Sequence, residues 1–298
     1  MWVGIISGLL AAFGQSSSYL FSRHFVVRFG SPIHLIIYAQ VLMGGMALLI
    51  FPWVIDRTTF ADTAFVRPLI LTALFYLLGQ GCFFTAIKEI EASRLSSLLG
   101  LKLPVLALIN VVFLHLGVNL WQWAAVLLCA AAAMMMNWSG GRITWKAAWW
   151  VIVCCICYSL SDIFGRELIL VLPGHNLAGR ALAGTAMTYL LLGVIALPVL
   201  FTVKRSVRAV AAAFPYAVSW FVAMLFLFGC FAAIGTVFGN IVQSTRGIIS
   251  IVMAVMLGRA GISHLEQHAS RKMMWRRVAA AVLMLTAIVL YTLAGNKW

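Results

Sequence analysis

The sequence predicts an all-α integral membrane protein: ten transmembrane helices in two inverted five-helix repeats. Three observations predict it. Of the 298 residues, 64% are apolar and 9% charged, where soluble domains carry roughly 25% charge. The apolar residues gather into ten segments of about 17–25 residues, the length a helix needs to cross a bilayer. The two halves also echo each other. Ser18-Tyr19-Leu20-Phe21-Ser22-Arg23 returns as Ser161-Asp162-Ile163-Phe164-Gly165-Arg166, and Gly81-Cys82-Phe83 as Gly229-Cys230-Phe231. Five segments per half is an odd number, so the second copy enters the membrane upside down.

The segments lie near 2–28, 33–54, 67–87, 95–115, 120–137, 147–171, 178–203, 212–233, 236–258 and 277–294. The first lacks a basic n-region and a small-residue cleavage site, so a cleaved signal peptide is not expected. Gly4/Gly8 in the first and Gly235/Gly239 in the ninth form small-x-x-x-small faces that let helices approach closely. Pro32, Pro52, Pro173 and Pro198 sit near predicted ends, where proline is tolerated. The third and eighth segments carry aromatics: Phe75, Tyr76, Phe83 and Phe84, then Trp220, Phe221, Phe226, Phe228 and Phe231. Packing or lipid contact is the default for these, and the alternative is the wall of a cavity for an amphipathic solute. Trp53, Trp121, Trp123, Trp138, Trp145, Trp149, Trp150 and Trp275 stand near predicted ends, as an aromatic belt requires. The turn residues from Asn137 to Arg142 form the natural linker. They divide the chain into repeats at 1–139 and 145–298. No stretch remains for a separate soluble domain, and alternating short strands are absent, so a β-barrel is not expected.

The formal net charge of +14 does not imply nucleic acid. Most cations fall in the short connections, where they act as topology signals and headgroup contacts. Odd-numbered connections and their flanks hold fourteen of those Lys and Arg, and even-numbered ones with the tail hold five. That bias predicts odd connections in the cytoplasm and both termini outside. All six cysteines lie in apolar segments, where Cys behaves as a small hydrophobe. No phosphate-binding Gly-x-x-x-x-Gly-Lys-Ser/Thr loop and no paired zinc pattern occurs. His264 and His268 flank Glu266 in a polar connection without the rest of a ligand set. No cofactor or metal is therefore expected.

Charges inside apolar helices carry the functional signal, because a charge at mid-bilayer costs roughly 2.5–3.5 kcal/mol on insertion scales. Lys102 follows Ser96-Ser97-Leu98-Leu99-Gly100-Leu101, and Arg246 follows Asn240-Ile241-Val242-Gln243-Ser244-Thr245. Two buried cations across a pseudo-symmetric cleft would attract a carboxylate or phosphate. The alternative is that each snorkels to a headgroup or bonds a neighbouring carbonyl. In the sixth segment Asp162, Arg166 and Glu167 lie together, with Asp162 and Arg166 one turn apart and able to pair. Asp162 is the candidate proton or coupling residue, and a structural ion pair is the alternative. The first segment replaces this set with Tyr19, Arg23 and His24. Its polar stretch of Gln15, Ser16, Ser17 and Ser18 could line a cavity. Gln80, Asn110 and Gln243 are further polar groups at depth, each also suited to a helix–helix hydrogen bond.

Leu103-Pro104-Val105-Leu106-Ala107-Leu108, with Phe113-Leu114-His115-Leu116-Gly117, resembles the helix-four pattern of the EamA-like branch of the drug/metabolite transporter superfamily. Val255-Met256-Leu257-Gly258 resembles the matching end of helix nine. The chain departs from the pattern at Val118 and Arg259, where a glutamate is usual. The resemblance implies a central site between the repeats, transport of amino acids, related metabolites or drugs without ATP, and cytoplasmic termini, opposite to the charge bias.

The combined expectation is a multi-pass inner-membrane secondary transporter, not an enzyme. It would export a small anionic or zwitterionic organic metabolite by alternating access. Arg246, Lys102, Gln15, Ser18, Tyr19, Gln80 and Gln243 would bind substrate. Asp162, Arg166, Glu167, Arg23 and His24 would couple or gate. Partners would be the small-molecule substrate, protons as a coupling ion and membrane lipids, with no nucleic acid. The alternatives are a lipophilic-drug exporter, which needs aromatic walls and one acid, and a lipid flippase, which needs a lateral opening. A membrane enzyme should cluster acids or histidines at one interface, and the sequence has no convincing set.

Overall fold

A computed structural model describes residues 1–55, 63–87, 98–115, 117–137, 144–173, 176–203, 206–246, 248–249, 252–253, 256 and 271–295. Of the linker proposed at Asn137–Arg142, all but Asn137 lies outside the described residues, as does the His264/His268 connection. Among the described residues there are ten α-helices and no strand. They are α1 (Trp2–Phe29), α2 (Pro32–Val54), α3 (Val66–Ile87), α4 (Lys102–Leu114) and α5 (Leu120–Asn137). The second half holds α6 (Trp145–Val171), α7 (Leu177–Leu200), α8 (Val207–Ile234), α9 (Thr236–Gln243) and α10 (Arg271–Gly295). By length and composition, α1, α2, α3, α6, α7 and α8 can cross a bilayer. Leu99–Phe113, Leu120–Met135 and Val278–Ala294 are shorter apolar helical stretches. The described helices thus supply six full-length spans where the sequence predicts ten.

Local sequence explains the boundaries. Ser31, Thr144, Asn176 and Ser206 each cap a helix by accepting a backbone N–H from three residues on, satisfying one of the donors a helix start leaves open. Pro32 opens α2, while Pro52 and Pro198 fall in the last turns of α2 and α7, the end positions expected of them. The predicted fourth and ninth segments are interrupted instead of continuous. A 3₁₀ turn at Leu99–Leu101 precedes α4, and α9 ends at Gln243 before a turn at Ser244 and Thr245. Gly235, at φ 81° and ψ 163°, breaks α8 from α9 with a backbone that side-chain-bearing residues rarely adopt.

The helices pair across the two halves. α1 lies along α8, α3 along α6, α2 along α7 and α5 along α10, while α4 meets α9. Close backbone approach makes the α2–α7 crossing: a Cβ on Gly44 would stand 2.7 Å from the Cα of Gly193. Where α1 meets α8 and α9, a Cβ on Gly4 would meet Ile234 of α8 at 2.5 Å, and one on Gly8 would meet Val242 of α9 at 2.8 Å, so this small-residue face serves packing. The outward faces are apolar, with Val27, Leu49, Leu120 and Val207 exposed, as a surface solvated by lipid must be. Trp53, Trp121, Trp145, Trp149 and Trp275 are exposed near helix ends.

Candidate functional site

The buried polar groups collect where the interrupted helices meet the middles of the long ones. Lys102 is the first residue of α4 after the 3₁₀ turn. Its Nζ lies 2.6 Å from Oδ2 of Asp162 on α6, and the two side chains are 19% and 10% exposed. Asn240 of α9 donates from Nδ2 to the same oxygen at 2.7 Å and to the Thr236 carbonyl at 2.9 Å. One carboxylate therefore ties α4, α6 and α9 together. A buried pair of this kind holds only with good geometry and further hydrogen bonds on the acid, and Asn240 supplies one.

This geometry differs from the sequence expectation in two respects. Asp162 pairs with Lys102 and not with Arg166, whose Nε donates to the Phe231 carbonyl at 3.0 Å. The i, i+4 spacing permitted the Asp162–Arg166 pair, but Arg166 instead satisfies a main-chain acceptor in the last turn of α8. Lys102 is also already neutralised, so the two cations do not stand as equivalent anion receptors.

Arg246 has different surroundings. It follows the turn that ends α9, and its Nη1 donates to Oε1 of Gln15 on α1 at 3.2 Å. Gln243 donates from Nε2 to that same oxygen at 2.9 Å. Ser16 donates from Oγ to the Arg246 carbonyl at 2.9 Å. The guanidinium stands 6.0 Å from the centre of the Tyr19 ring, a cation–π distance. Among the described residues no carboxylate forms an ion pair with Arg246. Its cradle is polar and neutral.

Aromatic residues near the middles of the long helices complete the site. Tyr19 meets Trp220 edge-on, and Trp220 stacks on Tyr216 with centroids 5.9 Å apart. The Trp220 indole N–H donates to the Tyr189 hydroxyl at 2.9 Å. On the other side Lys102 Nζ stands 6.0 Å from the Tyr158 ring centre, and Tyr158 neighbours Tyr76. Gly79 leaves room for the Tyr158 ring, which a Cβ there would meet at 2.7 Å. Gln40 of α2 donates from Nε2 to the Tyr76 hydroxyl at 3.2 Å, and Gln80 also reaches that hydroxyl.

The structure thus brings together Gln15, Tyr19, Gln243 and Arg246 in one group, and Lys102 and Asp162 in another. Gln80 lies beside Tyr76. Ser18 is buried but turns back to the Gln15 carbonyl at 2.7 Å. Glu167 is half-buried and His24 is exposed, and the side chain of Arg23 lies outside the described residues. Sequence reasoning left Asn240, Gln40, Tyr158 and Tyr189 out of the site. Their signal was a polar group in mid-helix, which alone does not reveal which helix face it occupies. No cluster of three or more metal-ligating side chains occurs among the described residues.

A solved structure titled "Crystal structure of protein" superposes with a TM-score of 0.68 over 99% of this chain and 98% of its own, at 14% identity. At that identity the likeness is one of fold. No curated protein matches the sequence. The model of the EamA-like transporter family matches residues 2–138. The resemblance carried by the helix-four residues therefore holds: residues 2–138 of this membrane protein match the EamA-like transporter family, consistent with the drug/metabolite transporter superfamily.

Proposed function

We propose that the chain is an inner-membrane secondary transporter that exports a small anionic or zwitterionic organic metabolite. The two halves, 1–139 and 145–298, would act as inverted repeats rocking about a site between them. The observation that carries this reading is the contrast in charge. Arg246 keeps a cationic guanidinium in a neutral cradle beside aromatic rings, whereas Lys102 is bound to Asp162. A half-buried guanidinium with spare donors favours a carboxylate or phosphate.

Two features support the alternating-access part. The helix pairs α1–α8, α3–α6, α2–α7, α5–α10 and α4–α9 form a set unchanged when each helix is exchanged for the one five places away. Lys102 and Arg246 each follow an interruption in corresponding helices, and discontinuous helices are where such transporters bind substrate and ions. In this reading Arg246, Gln15, Gln243 and Tyr19 hold the anionic group. The Lys102–Asp162–Asn240 cluster couples protons or gates.

The stacked Tyr19, Trp220 and Tyr216 rings favour a second reading, an exporter of lipophilic drugs. Counterflow in proteoliposomes separates the two. Metabolite exchange that falls with Arg246→Ala supports the first, and cationic-dye transport indifferent to that substitution replaces it. Running the same assay with and without a pH gradient tests coupling, and pH-independent exchange removes protons from the mechanism.

A further inference from the structure

The two halves differ in how they hold α3 and α8. In the second half α6 packs on α8, and α7 does so too. In the first half neither α1 nor α2 makes a comparable contact with α3 among the described residues. One side chain fastens the closed contact. Arg166 of α6 donates from Nε to the Phe231 carbonyl at 3.0 Å. That carbonyl also accepts the Gly235 N–H at 2.9 Å, so the guanidinium is anchored at the break between α8 and α9. Beside it Gly165 lets the α6 backbone sit on the Phe228 ring, which a Cβ there would meet at 3.2 Å.

Both members of the contact recur in the chain. In the repeated motifs Arg166 takes the place of Arg23, and Phe231 that of Phe83. In the same register α1 and α6 both start at a tryptophan, Trp2 and Trp145. A pseudo-symmetric transporter in a lopsided conformation has a second one, in which the halves exchange shapes. We propose that Arg166 is the latch of the conformation seen here. In the opposite conformation Arg166 releases Phe231, and Arg23 takes the Phe83 carbonyl as α1 closes on α3. A carbonyl suits a latch, because a neutral acceptor holds a cation less tightly than a carboxylate does, and the bond can open in each cycle. This rests on the rocking-repeat reading and adds which contact opens and which one closes.

The test is amide hydrogen exchange of the full chain in lipid nanodiscs. Arg166→Met, which removes the donor, should speed exchange at 231–239 about tenfold, as loss of a hydrogen bond from a charged group does. It should also slow exchange at 79–87 of α3, because the first half closes. Arg166→Lys, which keeps a cationic donor, should stay near wild type. Arg23→Met should act in mirror image, leaving 231–239 at least as protected as in wild type and 79–87 no more so. That arm keeps the test usable if Arg166→Met does not fold. Exchange at 231–239 unmoved by Arg166→Met, or faster there with 79–87 unchanged, overturns the inference, as does loosening of 231–239 by Arg23→Met. These outcomes leave the rocking reading standing where the wild type still gives counterflow of amino acids or short dicarboxylates in proteoliposomes. Absence of that counterflow overturns the rocking reading and the inference with it.

Discussion

Lys102 and Arg246 each stand just after an interruption, in the predicted fourth and ninth segments, yet their surroundings are opposite. Lys102 has a carboxylate at 2.6 Å that Asn240 holds in place. Arg246 has a glutamine carbonyl, a tyrosine ring and no described acid. The difference teaches that a buried cation's role depends on whether the protein or the ligand supplies its counter-charge. A cation neutralised by the protein ties helices together, and one left with neutral partners keeps its charge available to an anion, the role proposed for Arg246.

The strongest way to break this comparison is Asp162→Ala. It strands a buried ammonium, and unfolding in detergent should show a loss of about 3–5 kcal/mol. The double variant Lys102→Met/Asp162→Leu should be less destabilised than Asp162→Ala alone, because no charge is left unpaired. A wild-type melting temperature for Asp162→Ala would remove the pair as a structural unit. Arg246→Ala should do the reverse. Exchange should fall by about 30-fold, equivalent to about 2 kcal/mol of lost charge-assisted binding, while stability changes by less than about 1 kcal/mol because no acid is stranded. Equal losses of stability in the two variants would erase the distinction.

Two smaller effects sharpen it. Gly193→Ala places a Cβ 2.6 Å from the Gly44 Cα, and overpacking of this sort costs about 1–3 kcal/mol. Its melting temperature should fall without loss of the Arg246-dependent exchange per folded molecule. Trp220→Phe keeps a ring against Tyr216 but removes the donor to Tyr189, a loss of about 1 kcal/mol. A change in the apparent affinity for aromatic solutes larger than that for aliphatic ones would assign the stack to the substrate.

Much of the fold was legible from composition. An apolar run of bilayer length has few choices besides a helix, and Ser31, Thr144, Asn176 and Ser206 mark helix starts by their chemistry. The site was legible only in part. Charge inside an apolar segment identified Lys102, Asp162 and Arg246, because such charges are costly anywhere in lipid. Partner choice was not legible: Asp162 has Arg166 one turn away in the chain but Lys102 beside it in space. Nor did the sequence reveal the interruptions at Leu99–Leu101 and after Gln243, since the first falls in an apolar run and the polar residues at the second are equally compatible with a helix that lines a cavity.

The sequence by itself determined that this is a helical membrane protein whose residues 2–138 match the EamA-like transporter family, with a few charges kept at depth. Hydropathy, capping residues and short motifs are local properties, and they survive without knowledge of contacts. Tertiary structure alone decided which cation is neutralised, which polar group, Gln40, is left with an unused acceptor among the described residues, and which aromatic rings pack on one another. These depend on the pairing of α1 with α8 and α3 with α6, and the reach of a hydrogen bond is too short for sequence spacing to resolve which helix faces meet.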